Sequence, residues 1–249
     1  VLSKICSQAV LKCLYMTRLA RPELYWAVNS LAREVTRWTV ACDRRLHRLL
    51  SYIHHNTDCV IKSWIENKVS ECKLMLFCDA SFAGDLKDSK STSGSLLCLV
   101  GTRTFCPITW LCKKQGAVPH SSTEAEIVAL DMALRLDGLP AMGLWDLIVN
   151  VIEPTSKEPE HKIGKLKGVD NYLANMGESS MAAQIIANID YVPPSLPEIS
   201  DRTSMVIMED NDAVIKMTIK VRAPTMRHMQ RTHRIDVDSL FENIHKMPG

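Results

Sequence analysis

The sequence predicts an α/β protein: a sheet flanked by helices and preceded by a small helical segment. Three observations lead there. Apolar residues recur at helical spacing through residues 1–57; from about Val60 they gather into short runs bounded by turn residues; helical spacing returns after Thr123 and again after Asp212. At 249 residues, 46% hydrophobic and 23% charged, the chain is globular in class and long enough to bury a sizeable core, as one large domain or two small ones. No stretch of about 18 apolar residues occurs, so no membrane span is expected. A net charge of +2 permits nucleic-acid binding without arguing for it.

In the helical segment, Pro22 suits a first helical turn, where its missing N–H costs no intrahelical bond, and Leu24, Ala27, Val28 and Leu31 follow as an apolar stripe. A further helix is expected over residues 40–54, with Leu46, Leu49, Leu50 and Ile53 as its stripe. Arg44, Arg45 and Arg48 occupy the other face, which reads either as an ordinary solvated surface or as one that contacts phosphates.

Five apolar runs have strand character: residues 60–65, 74–78, 95–100, 103–111 and 205–208. Gly101-Thr102 supplies a tight turn between the third and fourth. A helix over residues 123–136 is expected to be broken by Gly138 and Pro140, with a second helical piece over residues 142–151. Residues 153–204 differ. Pro154, Pro159, Pro193, Pro194 and Pro197, a Lys/Glu-rich run and little periodicity predict an insertion or linker, with one short helix at residues 181–189. Helices over residues 212–219 and 235–246, joined by a basic loop, complete the chain. The expected organisation is a helical segment over residues 1–57, one domain from residues 58–152 and 205–249, and an insertion at residues 153–204.

Two of the apolar runs end in acids. Leu74-Met75-Leu76-Phe77-Cys78 lacks alternation, as expected of a strand covered on both faces, and leads into Asp79; Met205-Val206-Ile207-Met208 is similar and leads into Glu209-Asp210. Sites in α/β sheets form beyond the carboxyl ends of such strands, so the two acids could face one crevice; each could equally start a turn or cap a helix. Ser121 and Glu124 fit a capping box, which gives Glu124 a structural task; Glu126 lies beyond the cap, where a solvated helix face is the ordinary fate of a Glu. In the last helix Val237, Leu240, Phe241 and Ile244 form the buried stripe, and Asp236 and Asp238 flank it in the first turn, where the helix dipole favours acids. Periodicity does not choose between them. Carboxylates gathered closely repel, and divalent cations such as Mg²⁺ or Mn²⁺ relieve that repulsion.

The nine cysteines include no C-x-x-C pair, and several sit in apolar runs as small hydrophobes. This predicts a reducing compartment, cytosol or nucleus, and no disulfide-linked partner. With no initiating Met and no signal-peptide-like stretch, the chain reads as part of a longer protein.

Taken together, the motifs carry a resemblance. Asp79-Ala80-Ser81-Phe82-Ala83-Gly84, Ser91-Thr92-Ser93-Gly94, Trp110, Lys113-Lys114-Gln115 and Ser121-Ser122-Thr123-Glu124-Ala125-Glu126 resemble, in order and spacing, the ribonuclease H region of copia-type retrotransposon Pol polyproteins. Glu209-Asp210-Asn211 is similar to that family's Cys-Asp-Asn segment, and Arg231-Thr232-His233-Arg234-Ile235-Asp236 to its Arg-Thr-Lys-His-Ile-Asp segment. Leu14-Tyr15-Met16-Thr17, Arg21-Pro22-Glu23-Leu24 and Ala27-Val28-Asn29 resemble the end of the reverse transcriptase that precedes the nuclease, although no Tyr-x-Asp-Asp segment for nucleotide addition is present.

The resemblance implies a ribonuclease H-like mixed five-stranded sheet flanked by helices. It implies an endonuclease that cuts the RNA strand of RNA–DNA hybrids, with Asp79, Glu126, Asp210 and Asp236 holding two Mg²⁺ or Mn²⁺ ions. It implies a mobile His, His228 or His233, that helps product release. Lys113, Lys114, Gln115, Asn211, Arg227 and Arg231 are the candidates for nucleic-acid contact, and the remainder of the reverse transcriptase is the expected protein partner. The rival expectation is a module without catalysis that binds nucleic acid or a protein within a larger assembly.

Overall fold

Three helices fill the N-terminal segment: α1 (Cys6–Leu19), α2 (Tyr25–Ala32) and α3 (Val40–His55). They belong to a computed structural model that describes residues 2–84, 88–154, 202–220 and 235–246. Pro22 opens a single 3₁₀ turn, Pro22–Leu24, that leads straight into α2. Thr39 caps α3 by accepting the Cys42 N–H at 3.4 Å. The three helices bury Val10, Cys13, Leu24, Val28, Leu31, Cys42, Leu46 and Leu49 against one another. Leu50, expected in the α3 stripe, is instead 44% exposed, and Cys42 joins the buried face.

Four strands form the sheet among the described residues: β1 (Lys73–Ser81), β2 (Thr92–Gly101), β3 (Thr104–Lys114) and β4 (Met205–Met208), in the order β3-β2-β1-β4. β1 pairs antiparallel with β2 and parallel with β4, so the sheet is mixed. The fifth expected strand, residues 60–65, does not form. Only Trp64 meets the sheet, through an isolated bridge to Phe105, while Val60 and Ile65 stay 67% and 61% exposed. Strand propensity without a face to bury is too weak to hold a strand.

The hairpin between β2 and β3 turns on Thr102-Arg103, one residue later than Gly101-Thr102. Asn67 braces it, accepting the Arg103 N–H and donating to Thr102 Oγ1. A Cβ on Gly101 would lie 2.7 Å from Asn67 Oδ1, so a larger residue would have to push this bracing side chain aside. Pro107 is tolerated because β3 is an edge strand and its pairing with β2 is shifted at that point.

The remaining α-helices among the described residues are α4 (Ser122–Ala133), α5 (Leu139–Ile152), α6 (Asp212–Lys220) and α7 (Val237–Lys246). Gly138 and Pro140 do not break the helix after α4. A π-helical stretch, Leu134–Gly138, carries it into α5, with Pro140 in the first turn of the new register. The main core joins Leu74, Leu76, Cys78, Leu97 and Leu99 of the sheet to Ile127, Leu130, Leu134, Met142, Val214, Leu240 and Phe241 of the helices.

β1 is therefore not covered equally on both faces. Leu74, Leu76 and Cys78 are buried, and the alternate residues Met75 and Phe77 are half-buried. The N-terminal segment reaches the sheet on that second face, where Phe77, Leu96 and Trp110 lie in register. Asn29 donates to the Cys112 carbonyl there. The stretch expected as an insertion lies almost entirely outside the described residues, as does its short helix at residues 181–189. Its last residues are anchored: Arg202 donates to Asn150 and to the Glu153 carbonyl, and Thr203 donates to Asp146. No helix among the described residues is long and apolar enough to cross a membrane.

Candidate metal centre

β1 and β4 run side by side in the same direction, with Phe77 opposite Met208 at the end of their pairing. The residues that follow, Asp79 on one strand and Glu209-Asp210 on the other, emerge at the same end of the sheet. Asp79 faces Gly94 on β2, which has no side chain to cover it. Glu126 arrives from α4. Ala125 and Ala129 of that helix pack on Ala80 of β1, and three small side chains at the contact let the helix lie close to the strand. The carboxylate oxygens of Asp79, Glu126 and Asp210 consequently come within 4.8 Å of one another.

Asp79 and Asp210 are exposed, whereas Glu126 is 7% exposed. Burial, then the charges of Glu209, Asp79 and Asp210, push the Glu126 carboxyl up to about 7, against a lowering hydrogen bond from the Ala80 N–H. Its Oε2 is buried and has no hydrogen-bond partner. Glu209, half-buried beside this group, is also raised, mainly by burial, while bonds from the Asn211 N–H and the Cys78 thiol pull it back. Burial pushes the Cys78 thiol far up, so it stays protonated and donates to Glu209 Oε2 at 3.3 Å. Glu209 is the acid that sequence reasoning passed over. Its only signal is that it directly follows an apolar strand.

The remaining sequence-predicted residues divide. Asp236 is not in the carboxylate group; it caps α7, its Oδ1 accepting the Ser239 N–H at 3.1 Å. Gln115, expected to contact nucleic acid, is 5% exposed and donates to Ser93 Oγ and the Ala125 carbonyl, which ties β3 to β2 and α4. Asn211 caps α6 by accepting from the Ala213 and Val214 N–H groups. Lys114 pairs with Asp88 at 2.7 Å, and Lys113 is exposed. Glu124 performs its capping task, although its carboxylate accepts from the His120 N–H rather than from Ser121. Arg227, His228, Arg231 and His233 lie outside the described residues.

A cleft of about 670 Å³ opens beside the carboxylates, between the N-terminal segment and the second face of the sheet. Trp26, Phe77, Leu96 and Trp110 line its apolar part, and Asp79 and Asp210 stand at its acidic end.

No family model matches the chain, and no solved structure matches it. Relatives do. Secreted RxLR effector protein 161 of Plasmopara viticola is 33% identical over 127 residues, which cover 51% of this chain and 84% of the relative. An uncharacterized mitochondrial protein of Arabidopsis thaliana is 31% identical over 122 residues, 47% of this chain and 45% of that protein. The Retrovirus-related Pol polyprotein from transposon RE2, also of Arabidopsis thaliana, is 37% identical over 106 residues, 43% of this chain and only 7% of the polyprotein. The chain belongs to the family of the Plasmopara viticola protein, and retrotransposon Pol polyproteins are among its homologues.

Proposed function

We propose that this chain is a ribonuclease H-type, metal-dependent endonuclease module of a retrotransposon polyprotein, acting on the RNA strand of RNA–DNA hybrids. The observation that carries the reading is the meeting of Asp79, Glu126 and Asp210 within 4.8 Å, with Glu126 Oε2 buried and unpartnered. A raised carboxyl and a buried oxygen without a protein donor fit a group that ligates a cation. The donors are all oxygens, which suits Mg²⁺ or Mn²⁺. Two such ions, when bound, would supply an activated water and charge stabilisation for the leaving oxygen. The Pol polyproteins among the homologues support the same reading.

The protein's own contribution is placement. Two strand ends hold Asp79 and Asp210, and α4 brings Glu126 down from the core side. Asp236, at the start of α7, is the proposed fourth acid. Exposed Lys113 is proposed to contact phosphate, together with Arg227 and Arg231, and His228 or His233 to help product release. The 2′-hydroxyls of RNA, read across the shallow minor groove, would distinguish it from DNA. The remainder of the reverse transcriptase is the proposed partner, and cytosol or nucleus the compartment.

A labelled hybrid incubated with Mg²⁺ tests the proposal. Cleavage by the wild-type chain, lost in Asp79→Asn, is expected. No cleavage, or equal cleavage by Asp79→Asn, would overturn it.

One observation favours a second reading, a recruited module without catalysis: Asp236 caps a helix instead of joining the other acids. Thermal unfolding separates the two. An active centre gains stability in millimolar Mg²⁺ or Mn²⁺ by mass action, and a module without one does not.

A further inference from the structure

We propose that Glu209 is a positioning residue that ties the end of β1 to the end of β4 and so sets the separation of Asp79 from Asp210. The inference rests on the metal centre proposed above. Strand pairing between β1 and β4 ends at Phe77 and Met208, one residue short of Cys78 and two short of Asp79. Past that point Glu209 spans the gap. Its Oε2 accepts the thiol of Cys78, the residue directly before Asp79, at 3.3 Å. Its Oε1 accepts the N–H of Asn211, the residue directly after Asp210, at 3.0 Å. Cys78 Sγ also lies 3.6 Å from the Met208 carbonyl, so the last residue of β4 and Glu209 just beyond it meet the same thiol. The side chain of Asn211 then caps α6, which continues the tie into the next helix.

The tie lies on the two residues adjacent to the two acids that must hold a fixed spacing. Both oxygens of Glu209 already accept from protein donors, and Glu209 is absent from the group of three carboxylates. Those facts argue for holding the site in shape rather than for ligating an ion directly.

The test is Mn²⁺ binding by calorimetric titration on the full chain. The variants are Glu209→Gln, Glu209→Ala, Cys78→Ser, Cys78→Ala and the Cys78→Ala/Glu209→Ala double variant. Glu209→Gln keeps an oxygen for Asn211 and an amide for the sulfur, so binding should stay near wild type. Cys78→Ser keeps a donor and should do the same. Glu209→Ala should weaken binding by about tenfold, the equivalent of one or two lost hydrogen bonds. The double variant should bind no more weakly than Glu209→Ala, because the two residues act as one unit.

Equal losses in Glu209→Gln and Glu209→Ala would make Glu209 a ligand and overturn the positioning role. Additive losses in the double variant, or no loss in Glu209→Ala, would overturn it too. If the wild-type chain binds no Mn²⁺, the metal-centre reading fails on its own. The tie is then read from the melting midpoints of the same chains without metal: non-additive shifts for Cys78 and Glu209 support it, and additive shifts overturn it.

Discussion

Trp110 on β3 donates its indole N–H to the backbone carbonyl of Thr17 at the end of α1, 2.7 Å away. The bond fastens the N-terminal helices to the second face of the sheet. Together with the Asn29 bond to Cys112, it makes the segment a wall of the cleft beside Asp79. Trp110→Phe retains most of the ring's burial and deletes the donor. It should cost about 1 kcal/mol in chemical unfolding. An unchanged midpoint would show that the carbonyl finds water as readily as the indole.

Glu126→Gln should have opposite effects with and without metal. It replaces a buried carboxyl, crowded by Glu209, Asp79 and Asp210, with a neutral amide. The metal-free chain at pH 8 should gain roughly 1–3 kcal/mol. The rise in melting temperature on adding Mg²⁺ should disappear. A variant that is less stable in chelator yet still responds to Mg²⁺ would contradict the placement of Glu126 at the centre.

The metal-free chain should lose stability as pH rises through the weakly acidic range. The Glu126 carboxyl stands at about 7 against an ordinary 4.5, so folding favours its protonated form. That contribution is fully present below about pH 4.5 and is lost as pH rises through about 7. Denaturant unfolding in chelator across this range measures it. Glu126→Gln should flatten the profile, and a rising profile in the wild type would reverse the argument.

Gly138 sits where the π-helical stretch crosses the core. A Cβ there would lie 3.1 Å from Leu134 Cδ1 and Leu76 Cδ2 and 3.2 Å from Met205 Cε. Gly138→Val should destabilise by about 1–3 kcal/mol through overpacking, despite leaving a poor helix former. Leu76→Ala, from the same spot, should cost about 2–5 kcal/mol. If Gly138→Val were stabilising, the core around Leu76 would be looser than these distances indicate.

How much was legible depended on how local the cause was. The strands that lead to Asp79 and Asp210 could be read because an apolar run followed by an acid is a local pattern. The capping role of Glu124 could be read from Ser121 three residues earlier. Gln115 and Asn211 could not. Their amides are engaged by Ser93, Ala125 and the start of α6, partners that a motif does not reveal. Residues 60–65 looked like a strand because hydrophobicity was visible and lack of burial was not. The tie through Glu209 depends on Cys78, 131 residues away, and only the parallel pairing of β1 with β4 brings them together.

The π-helical stretch Leu134–Gly138 has a consequence for phase. One extra residue in a turn advances everything downstream by about 100° around the helix axis. That rotation aims Asp137 at the Ser95 hydroxyl, 2.7 Å away, and turns Met142 and Val149 toward the interior. Deleting any one residue between 134 and 138 would leave a smoother helix of nearly the same composition. It would also swing those side chains out of the interior and bring Gly143, Leu147 and Asn150 around in their place. The irregular turn is the gear tooth that keeps α5 meshed with the core beneath it.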